Sequence, residues 1–466
     1  MNASALDRFL NPKSVAIIGI SRRTGPGAYN LMENMLHYGY QGVIFPINPQ
    51  AGEILGVRAY STIGEVDRPI DLAVISLPRE MVLPQIEACA AAGIPAVIVV
   101  SQGFGDADDR GKALQRAITA VARKNGMRIL GPNTLGVINN FDCFTTSFMP
   151  TKREKSPIGM ICQSGLFFVG TGNFTEKIGK GIDIGNGCDI SFSECLACFE
   201  EDPAIEIITI HMEGLDQPKP FFSLASRISR KKPIVLFKTG QSAAGARAAA
   251  SHSGSMAGHY DLYRTACKKA GILFMENDGR MYDAVHSLLC QPLLQGNRIA
   301  VITVTGAGGI MATDALEKNG LQLASLSHRT ITALADLSPE WMPLGNPLDI
   351  WPAVMKHGMG NVYGQALEAV LTDQGVDGVL CISVALDAQT FPSLDISKSL
   401  TTAAAQRNQK PVVAWLYGPG REEMTAKLER GNTISVHRTI EAAAWSLSLL
   451  RERQQFLETT PQGRTL

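Results

Sequence analysis

The chain has 466 residues, and its 43 lysines and arginines balance its 43 aspartates and glutamates, so the formal net charge is zero. That balance argues against general nucleic-acid binding, which usually requires an excess of basic residues. Hydrophobic residues make up 45% of the sequence and there are 45 glycines, a composition typical of a folded α/β protein and not of a disordered or fibrous one.

No segment of the sequence predicts a membrane span. The longest apolar stretch, residues 88–100, is interrupted by Gly93 and Pro95 and is too short to cross a bilayer. The N-terminal residues are too polar for the apolar core of a signal peptide. Nine cysteines without framework spacing fit a reducing compartment, so we expect a cytoplasmic protein that binds neither membranes nor nucleic acids.

Three blocks along the chain repeat one pattern, in which a short β-branched run is followed by a glycine- or serine-rich turn and a helical stretch. This alternation predicts parallel sheets with crossover helices. The strands of the first block are continuous apolar runs, as in a sheet that is covered on both faces. Its predicted strands lie at residues 14–20, 43–45, 72–75 and 96–100, and its predicted helices at 81–91 and 110–124.

Two polar stretches divide the blocks. Residues 150–157 contain prolines and charged residues and are predicted to be a linker, and residues 295–297 form a second predicted boundary. The sequence therefore predicts three domains, at residues 1–150, 151–295 and 296–466. Strands of the second block are predicted at 158–162, 206–210 and 233–237, and strands of the third at 298–303, 378–382 and 412–415.

Each block contains a strand that ends in a turn of small residues and leads into a helix. These turns are residues 19–27, 162–165 and 305–309. Glycines let the backbone approach a ligand, and the exposed N–H groups and the dipole of the following helix favour a phosphate. A tight turn without a ligand explains any one of the three equally well.

The first turn favours a ligand with several phosphates. It lacks the spacing of an NAD-binding motif, and the second strand is followed by Asn48 and Pro49 with no acidic residue for a ribose. Arg22 and Arg23 would suit coenzyme A or NADP, although two solvated surface arginines are the alternative. The chain contains no G-x-x-x-x-G-K-S/T motif, so no P-loop is predicted.

One histidine lies in a segment that is almost free of bulky side chains. Residues 240–258 consist mainly of glycine, alanine and serine, and we expect them to form a mobile loop. Little in that segment could pack against His252, and imidazole, with an ordinary pKa of ~6.5, is nucleophilic when neutral. His252 is therefore a candidate group carrier. A surface histidine in a flexible loop is the alternative, and spacing alone favours it.

A carboxylate follows the second predicted strand of the same block. Glu213 would lie at the edge of a parallel sheet where ligands bind, and it could orient His252 through one ring nitrogen. A surface carboxylate at a turn is an equally good interpretation. Cys195 and Cys198 could suggest a metal, but no second pair has suitable spacing, so we expect packed helical thiols and no metal site.

Together these segments resemble the NDP-forming acyl-CoA synthetase superfamily, the relatives of succinyl-CoA synthetase, and within it the α subunits of ADP-forming acetyl-CoA synthetases. The resemblance covers nearly the whole chain. Residues 251–258 are the most diagnostic, because Ser-His-Ser-Gly-Ser-Met-Ala-Gly is similar to the family's phosphohistidine loop, S-H-T-G-x-L-A-G. Further similar segments are residues 14–27, 46–49, 71–75, 131–136, 163–165, 185–187 and 212–214.

The resemblance implies an α/β fold with an N-terminal Rossmann-like CoA-binding domain and two flavodoxin-like ligase domains. It also implies that acyl-CoA, phosphate and ADP interconvert with a carboxylic acid, CoA and ATP through an acyl phosphate. His252 would carry the phosphoryl group and Glu213 would steady its ring. The implied phosphate-binding residues are Gln163, Ser164, Gly165, Ser251 and Gly254, and the implied CoA-binding residues are Gly19, Ser21, Arg22, Arg23, Gly27, Asn48, Pro49 and Pro78.

Two segments depart from the family pattern. Residues 24–28 read Thr-Gly-Pro-Gly-Ala where the family has Pro-Gly-small-x-Gly, and the phosphate-binding turn is expected to persist there. His259 and Tyr260 follow the phosphohistidine motif where the family often has Ser-Asp. The helix after this motif is therefore expected to sit differently.

An ATP-grasp domain cannot be fitted into a chain that three blocks already fill. In the family this domain is either fused or a separate β subunit. The resemblance therefore implies a hetero-oligomer, with α–α contacts allowed, in which an ATP-grasp partner holds ADP or ATP with Mg²⁺. The sequence leaves two alternative functions open, a non-catalytic CoA or acyl-CoA sensor and an NADP-dependent oxidoreductase. A sensor would not need His252 and Glu213, and an oxidoreductase would leave His252 and two domains unexplained.

Overall fold

The computed structural model describes residues 4–25, 27–253, 260–387, 389–407 and 409–459. Packing divides the chain into two compact units, Met1–Met281 and Tyr282–Arg464. The first unit contains two main sheets and the second unit contains one. Among the helices of the described residues, none combines the length and the apolar character needed to cross a membrane.

The first sheet is built from residues 14–130 and carries helices on both faces. Its elements are α1 (Ser4–Leu10), β1 (Ser14–Ile18), α2 (Leu31–Tyr38), β2 (Val43–Ile47), β3 (Glu53–Ile54), β4 (Val57–Arg58), a 3-10 turn (Ile63–Glu65), β5 (Leu72–Ile75), α3 (Arg79–Ala91), β6 (Ala96–Val99), α4 (Asp109–Lys124) and β7 (Arg128–Leu130). Five parallel strands lie in the order β2-β1-β5-β6-β7, and β3 pairs with β4 in a small antiparallel hairpin.

The apolar strands of this sheet are buried on both faces. Along β5, Leu72 and Val74 enter one hydrophobic cluster while Ala73 and Ile75 enter another. The predicted α/β class with parallel sheets is therefore confirmed. The first strand is two residues shorter than predicted because Gly19 turns the chain with φ +86°, and a Cβ there would lie 2.5 Å from the Leu77 side chain.

The second sheet has seven strands and continues the first unit. Its elements are β8 (Val137–Asn139), β9 (Phe144–Thr145), β10 (Ile158–Cys162), α5 (Leu166–Val169), α6 (Thr171–Phe174), β11 (Lys180–Asp183), α7 (Phe192–Glu201), β12 (Ile207–Met212), α8 (Pro218–Ile228), β13 (Ile234–Lys238), α9 (Ala243–Ser253), α10 (Tyr260–Ala270) and β14 (Leu273–Met275). The strand order is β14-β13-β12-β10-β11-β8-β9.

One edge of the second sheet comes from chain that precedes residues 150–157. Strand β8 pairs antiparallel with β11 and with β9, whereas the other pairs in this sheet are parallel. Residues 151–156, which lie within the predicted linker, have neither helix nor strand. The first block thus contributes two strands to the second sheet, and the domain boundaries at residues 150 and 295 stay predictions.

The segment that carries His252 is helical, so the prediction of a loop is wrong for residues 243–253. Alanine, the strongest helix former, supplies much of α9. The Ser242 hydroxyl accepts a hydrogen bond from the Gly245 N–H at 3.0 Å, which caps the first turn. The sequence pattern did not predict this helix, because its small side chains give no apolar periodicity. Residues 254–259, also predicted as loop, lie outside the described residues.

The second unit contains a six-stranded parallel sheet. Its elements, preceded by α11 (Asp278–Cys290), are β15 (Arg298–Thr303), α12 (Gly306–Lys318), β16 (Gln322–Leu323), α13 (His328–Ala335), β17 (Leu348–Asp349), α14 (Trp351–His357), α15 (Met359–Thr372), β18 (Gly378–Val384), a 3-10 turn (Pro392–Leu394), α16 (Ser397–Gln406), β19 (Val412–Tyr417), α17 (Arg421–Glu429), β20 (Ser435–His437) and α18 (Ile440–Glu458). The order is β16-β15-β18-β19-β20, and β17 also pairs with β15. Two hydrophobic clusters fill this unit.

Candidate active site

Four polar side chains lie where neighbouring strands of the second sheet end. In the sheet order β13, β12, β10 and β11, these residues are Lys238, Glu213, Gln163 and Asp183. Ligands of open parallel sheets bind at this carboxyl edge. Glu213 and Gln163 are among the predicted site residues, whereas Lys238 and Asp183 are not.

Gln163 holds the backbone at Glu213. The side-chain carbonyl of Gln163 accepts hydrogen bonds from the N–H groups of Glu213 at 2.7 Å and Gly214 at 3.1 Å. Both Gln163 and Glu213 are buried. The Gln163 oxygen is thus committed to the main chain, so only its amide group could donate to a phosphate.

The predicted phosphate turn leads into a very short helix. Gly165 and Gly170 cap the two ends of α5, which has four residues. So short a helix adds little macrodipole, and individual amides would have to bind a phosphate there. Ser164 accepts a long hydrogen bond of 3.4 Å from Leu166. Packing also requires glycine at residue 165, since a Cβ would lie 2.5 Å from the Leu135 side chain.

Lys238 is a fully buried cation beside Glu213. Its ammonium group donates to the main-chain carbonyls of Glu213 at 2.8 Å and Thr239 at 3.0 Å. The Lys238 nitrogen also lies 4.9 Å from the centre of the Tyr263 ring. Burial lowers the pKa of Lys238, and the nearby Glu213 charge opposes that change.

Asp183 is a buried carboxyl group at the end of β11. It accepts hydrogen bonds from the N–H groups of Leu135 at 2.8 Å and Gly185 at 3.2 Å. Burial raises the pKa of Asp183 to about 6. The side chain thus ties the turn after β11 to the chain entering β8.

The raised pKa of Asp183 predicts a pH-dependent stability. Relative to Asp183→Asn, the protein should gain stability as the pH falls from 7 towards 4. The reason is that the folded chain binds a proton near pH 6, whereas an unfolded aspartate keeps its ordinary pKa of 3.8. Below both pKa values neither state carries the charge, and the burial penalty is absent. Thermal unfolding of both proteins across this range measures the difference, and parallel pH profiles would contradict the prediction.

The helix that carries His252 begins at the same edge of the sheet. Four residues connect Lys238 to α9, and β13 pairs with β12, the strand that precedes Glu213. His252 and Ser251 lie in the last turn of α9. Gly254, the remaining predicted phosphate ligand, lies outside the described residues.

The predicted CoA-binding residues gather at the carboxyl edge of the first sheet. Gly19 follows β1, Asn48 and Pro49 follow β2, and Pro78 caps α3 after β5. These three strands are neighbours in the order β2-β1-β5. The Asn48 side-chain amide donates to the Ile20 carbonyl at 2.8 Å, which joins the two turns.

The turn after β1 is held by two side chains of its own segment. The Asn30 amide donates to the carbonyls of Ser21 and Arg23, both at 2.9 Å. The Gly25 N–H donates to the Glu33 carboxylate at 2.8 Å. That amide is therefore already paired with an anion of the chain itself.

Two arginines in this turn are exposed. Arg22 donates to the Gln50 carbonyl at 3.3 Å, while the Arg23 N–H donates to the Ser21 hydroxyl at 3.0 Å. Gly27 is also exposed, with φ +82°. The guanidinium groups of both arginines could reach the phosphates of a ligand at this edge.

Across the described residues, no group of three or more His, Cys, Asp and Glu side chains is arranged to hold a metal ion. Cys195 and Cys198 lie in α7. Burial raises the pKa of Cys195 well above its ordinary value and that of Cys198 to about 12. Both thiols therefore stay protonated near neutral pH.

Two family models match the chain between residues 13 and 288. Residues 13–140 match a CoA binding domain, and residues 155–288 match a succinyl-CoA ligase like flavodoxin domain. The first match covers the edge with Gly19 and Asn48, and the second covers the edge with Glu213 as well as the helix α9, which carries His252.

Individual relatives extend the similarity along the chain. The α subunit of the ADP-forming acetate–CoA ligase I of Pyrococcus furiosus is 32% identical over 461 residues, which cover 96% of this chain and 97% of the relative. The ADP-forming acetate–CoA ligase II of Archaeoglobus fulgidus is 36% identical over 376 residues, or 79% of this chain. The match spans only 56% of that longer relative.

A solved structure has a similar fold throughout. The dinucleotide forming acetyl-coenzyme A synthetase 1 of Ca. Korarchaeum cryptofilum, in complex with phosphate and ADP, superposes with a TM-score of 0.88 at 29% identity. The match covers 98% of this chain and 99% of the other. The architecture of both units is therefore that of a known CoA synthetase chain.

Proposed function

This chain belongs to the family of ADP-forming acetate–CoA ligase α subunits, and on that premise we propose that it is the α subunit of an ADP-forming acyl-CoA ligase. It would interconvert acyl-CoA, phosphate and ADP with a small carboxylic acid, CoA and ATP. One observation carries the proposal. Glu213, its Gln163 clamp and the start of the helix bearing His252 lie at adjacent strand ends of one parallel sheet.

The reaction would proceed in three transfers. A phosphate oxygen attacks the thioester carbonyl, and CoA leaves as its thiolate, which gives an acyl phosphate. A ring nitrogen of His252 then attacks the phosphorus, and the carboxylate leaves. Glu213 would accept a hydrogen bond from the N–H of the other ring nitrogen. Its negative charge would stabilise the positive charge that develops on the ring. The phosphoryl group finally passes to ADP.

The first sheet would hold CoA at its carboxyl edge. Gly19, Asn48 and Pro78 follow the three neighbouring strands of that edge. Ser21 and Gly27 belong to the turn after β1. The exposed guanidinium groups of the same turn would bind the ribose phosphate or the pyrophosphate. An adenine dinucleotide without the ribose phosphate, such as NAD, would pair with only some of these guanidinium groups.

A separate β subunit with an ATP-grasp domain would hold ADP or ATP with Mg²⁺. Support comes from the coverage of two relatives named as α subunits, 98% and 97% of their lengths. A hetero-oligomer in the cytoplasm is part of the proposal. All nine cysteines are free thiols, which fits a reducing compartment.

The first domain is expected to prefer CoA over dephospho-CoA, NAD and NADP. Loss of one charge-assisted phosphate contact should weaken binding about 10-fold or more. Titration calorimetry measures the four affinities. The pair Arg22→Ala and Arg23→Ala should remove the preference, while Arg110→Ala, an exposed arginine on α4, should keep it. Equal binding of CoA and dephospho-CoA would refute the role of the arginines, and tighter binding of NADP would favour an oxidoreductase.

Phosphate labelling tests the catalytic proposal itself. The chain, an ATP-grasp β subunit of the same family, acetyl-CoA and radiolabelled phosphate should give an acid-labile, base-stable label on the chain. Omission of acetyl-CoA should prevent labelling, since phosphate alone is not an activated donor. A chain that binds CoA but never becomes labelled would instead be a CoA sensor.

A further inference from the structure

Lys238 is the one charged residue of strand β13, and it lies at the strand's carboxyl end with no exposed surface. Lysine is almost never fully buried, because its ammonium group loses hydration that only close partners can replace. The partners of Lys238 are main-chain oxygens and an aromatic face. The proposed reaction gives this side chain no chemical role.

The ammonium group joins the ends of two strands. It donates to the carbonyl of Glu213, the residue directly after β12, and to that of Thr239, the residue directly after β13. Tyr263, whose ring centre lies 4.9 Å from the Lys238 nitrogen, belongs to α10. One lysine thus connects the chain after β12, the chain that leads into α9, and α10.

Hydrogen bonds fix the two peptide groups on either side of the Glu213 Cα atom. Gln163, reaching from β10, accepts the Glu213 N–H at 2.7 Å, and Lys238, reaching from β13, donates to the Glu213 carbonyl at 2.8 Å. Fixing both neighbouring peptide planes fixes the Cα–Cβ direction between them. The carboxylate therefore leaves the backbone along a set direction.

We propose that Lys238 is a positioning residue that holds Glu213 in the orientation needed for phosphoryl transfer to His252, an inference that rests on the proposed function. Removing the ammonium group leaves the carbonyls of Glu213 and Thr239 without this donor, so Lys238→Met costs some stability whatever the role of Lys238. A positioning role adds a loss of catalytic rate to that cost. A catalytic effect larger than the stability effect is therefore the expected signature.

The chain offers a matched control at the opposite edge of the same sheet. Lys232 precedes β13 and donates to the carbonyls of Phe199 and Asp202, both at 2.7 Å. Burial lowers its pKa, as it does for Lys238. Lys232 thus makes the same kind of two-carbonyl contact, but neither Phe199 nor Asp202 belongs to the proposed site.

The test compares Lys238→Met, Lys232→Met, Glu213→Gln and the double variant Lys238→Met with Glu213→Gln. Single-turnover labelling from acetyl-CoA and phosphate, with the β subunit present, gives the rate of phosphohistidine formation. We expect Lys238→Met to slow labelling about 10- to 100-fold, the usual effect of losing a group that orients a reactive residue. Lys232→Met should label at the wild-type rate. Thermal midpoints and CoA affinity should change no more in Lys238→Met than in Lys232→Met.

The double variant distinguishes an effect of Lys238 through Glu213 from an unspecific disturbance of the structure. If Lys238 acts through Glu213, the double variant should be no slower than Glu213→Gln alone, because residues that act as a unit are not additive. Lys238→Gln, which keeps an N–H donor, should lie between wild type and Lys238→Met. This variant decides the question if Lys238→Met does not fold.

Three outcomes would overturn the inference. These are a wild-type labelling rate in Lys238→Met, a rate loss that multiplies with that of Glu213→Gln, and an equal rate loss in Lys232→Met. A wild-type protein that is never labelled would instead refute the proposed function, and this inference with it. A labelled wild type with an unaffected Lys238→Met refutes the inference alone.

Discussion

The variant His252→Ala is expected to lose phosphorylation of the chain and overall turnover together, each by at least about 1,000-fold. The proposed reaction moves the phosphoryl group through one ring nitrogen, and alanine has no atom that could replace it. CoA binding should be unchanged, because the proposed CoA-binding edge belongs to the first sheet, whereas His252 belongs to α9, between β13 and β14 of the second sheet. Radiolabelling, coupled ATP formation and CoA titration measure the three quantities.

His259→Ala provides the matched control for this variant, since it removes an imidazole seven positions further along the chain. It should be labelled at the wild-type level. Stoichiometric labelling that survives in His252→Ala would place the carrier elsewhere. His259 would then be one candidate and His211, a buried histidine of β12 stacked on Phe167 with ring centres 4.0 Å apart, would be the other.

The purified chain alone is expected to form no ATP from acetyl-CoA, ADP and phosphate. Neither of the matched family models is an ATP-grasp domain, and the sequence contains no P-loop motif. Adding an ATP-grasp β subunit should bring ATP formation from background to a readily measured rate. A luciferase-coupled assay follows the product directly.

The β subunit alone is the control for that experiment and should form no ATP, because it would lack His252. The mixture with His252→Ala should also stay at background. Robust ATP synthesis by the purified chain in the absence of a partner would show that residues 296–466 had been misinterpreted. It would also remove the reason for proposing a hetero-oligomer.

The buried strands could be predicted closely from sequence, because a strand covered on both faces must be apolar along its whole length. Strands β5 and β10 begin and end at the predicted residues. Strand β11 has the mixed sequence Lys-Gly-Ile-Asp, and β8 and β9 are only three and two residues long, so none of them gives such a signal. Their pairing depends on contacts between distant parts of the chain.

The candidate site was partly predictable for a related reason. Glu213 could be predicted because a charged residue after an apolar strand lies at a ligand-binding edge. The same signal exists for Lys238 and Asp183, each the last residue of its strand. Their hydrogen-bond partners are main-chain groups, however. Nearly all residue types carry the same main-chain groups, so the sequence does not indicate these partners. The clamp on Glu213 could therefore be recognised only from the folded chain.

The antiparallel pair β8–β9 determines where this polypeptide could be divided into pieces. Cutting after residue 150 would follow the polar stretch, but it would leave the pair on the N-terminal fragment without its neighbour β11. The remaining fragment would then expose the backbone of β11, an unpaired strand edge of the kind that promotes aggregation. A split before β8 keeps the second sheet whole.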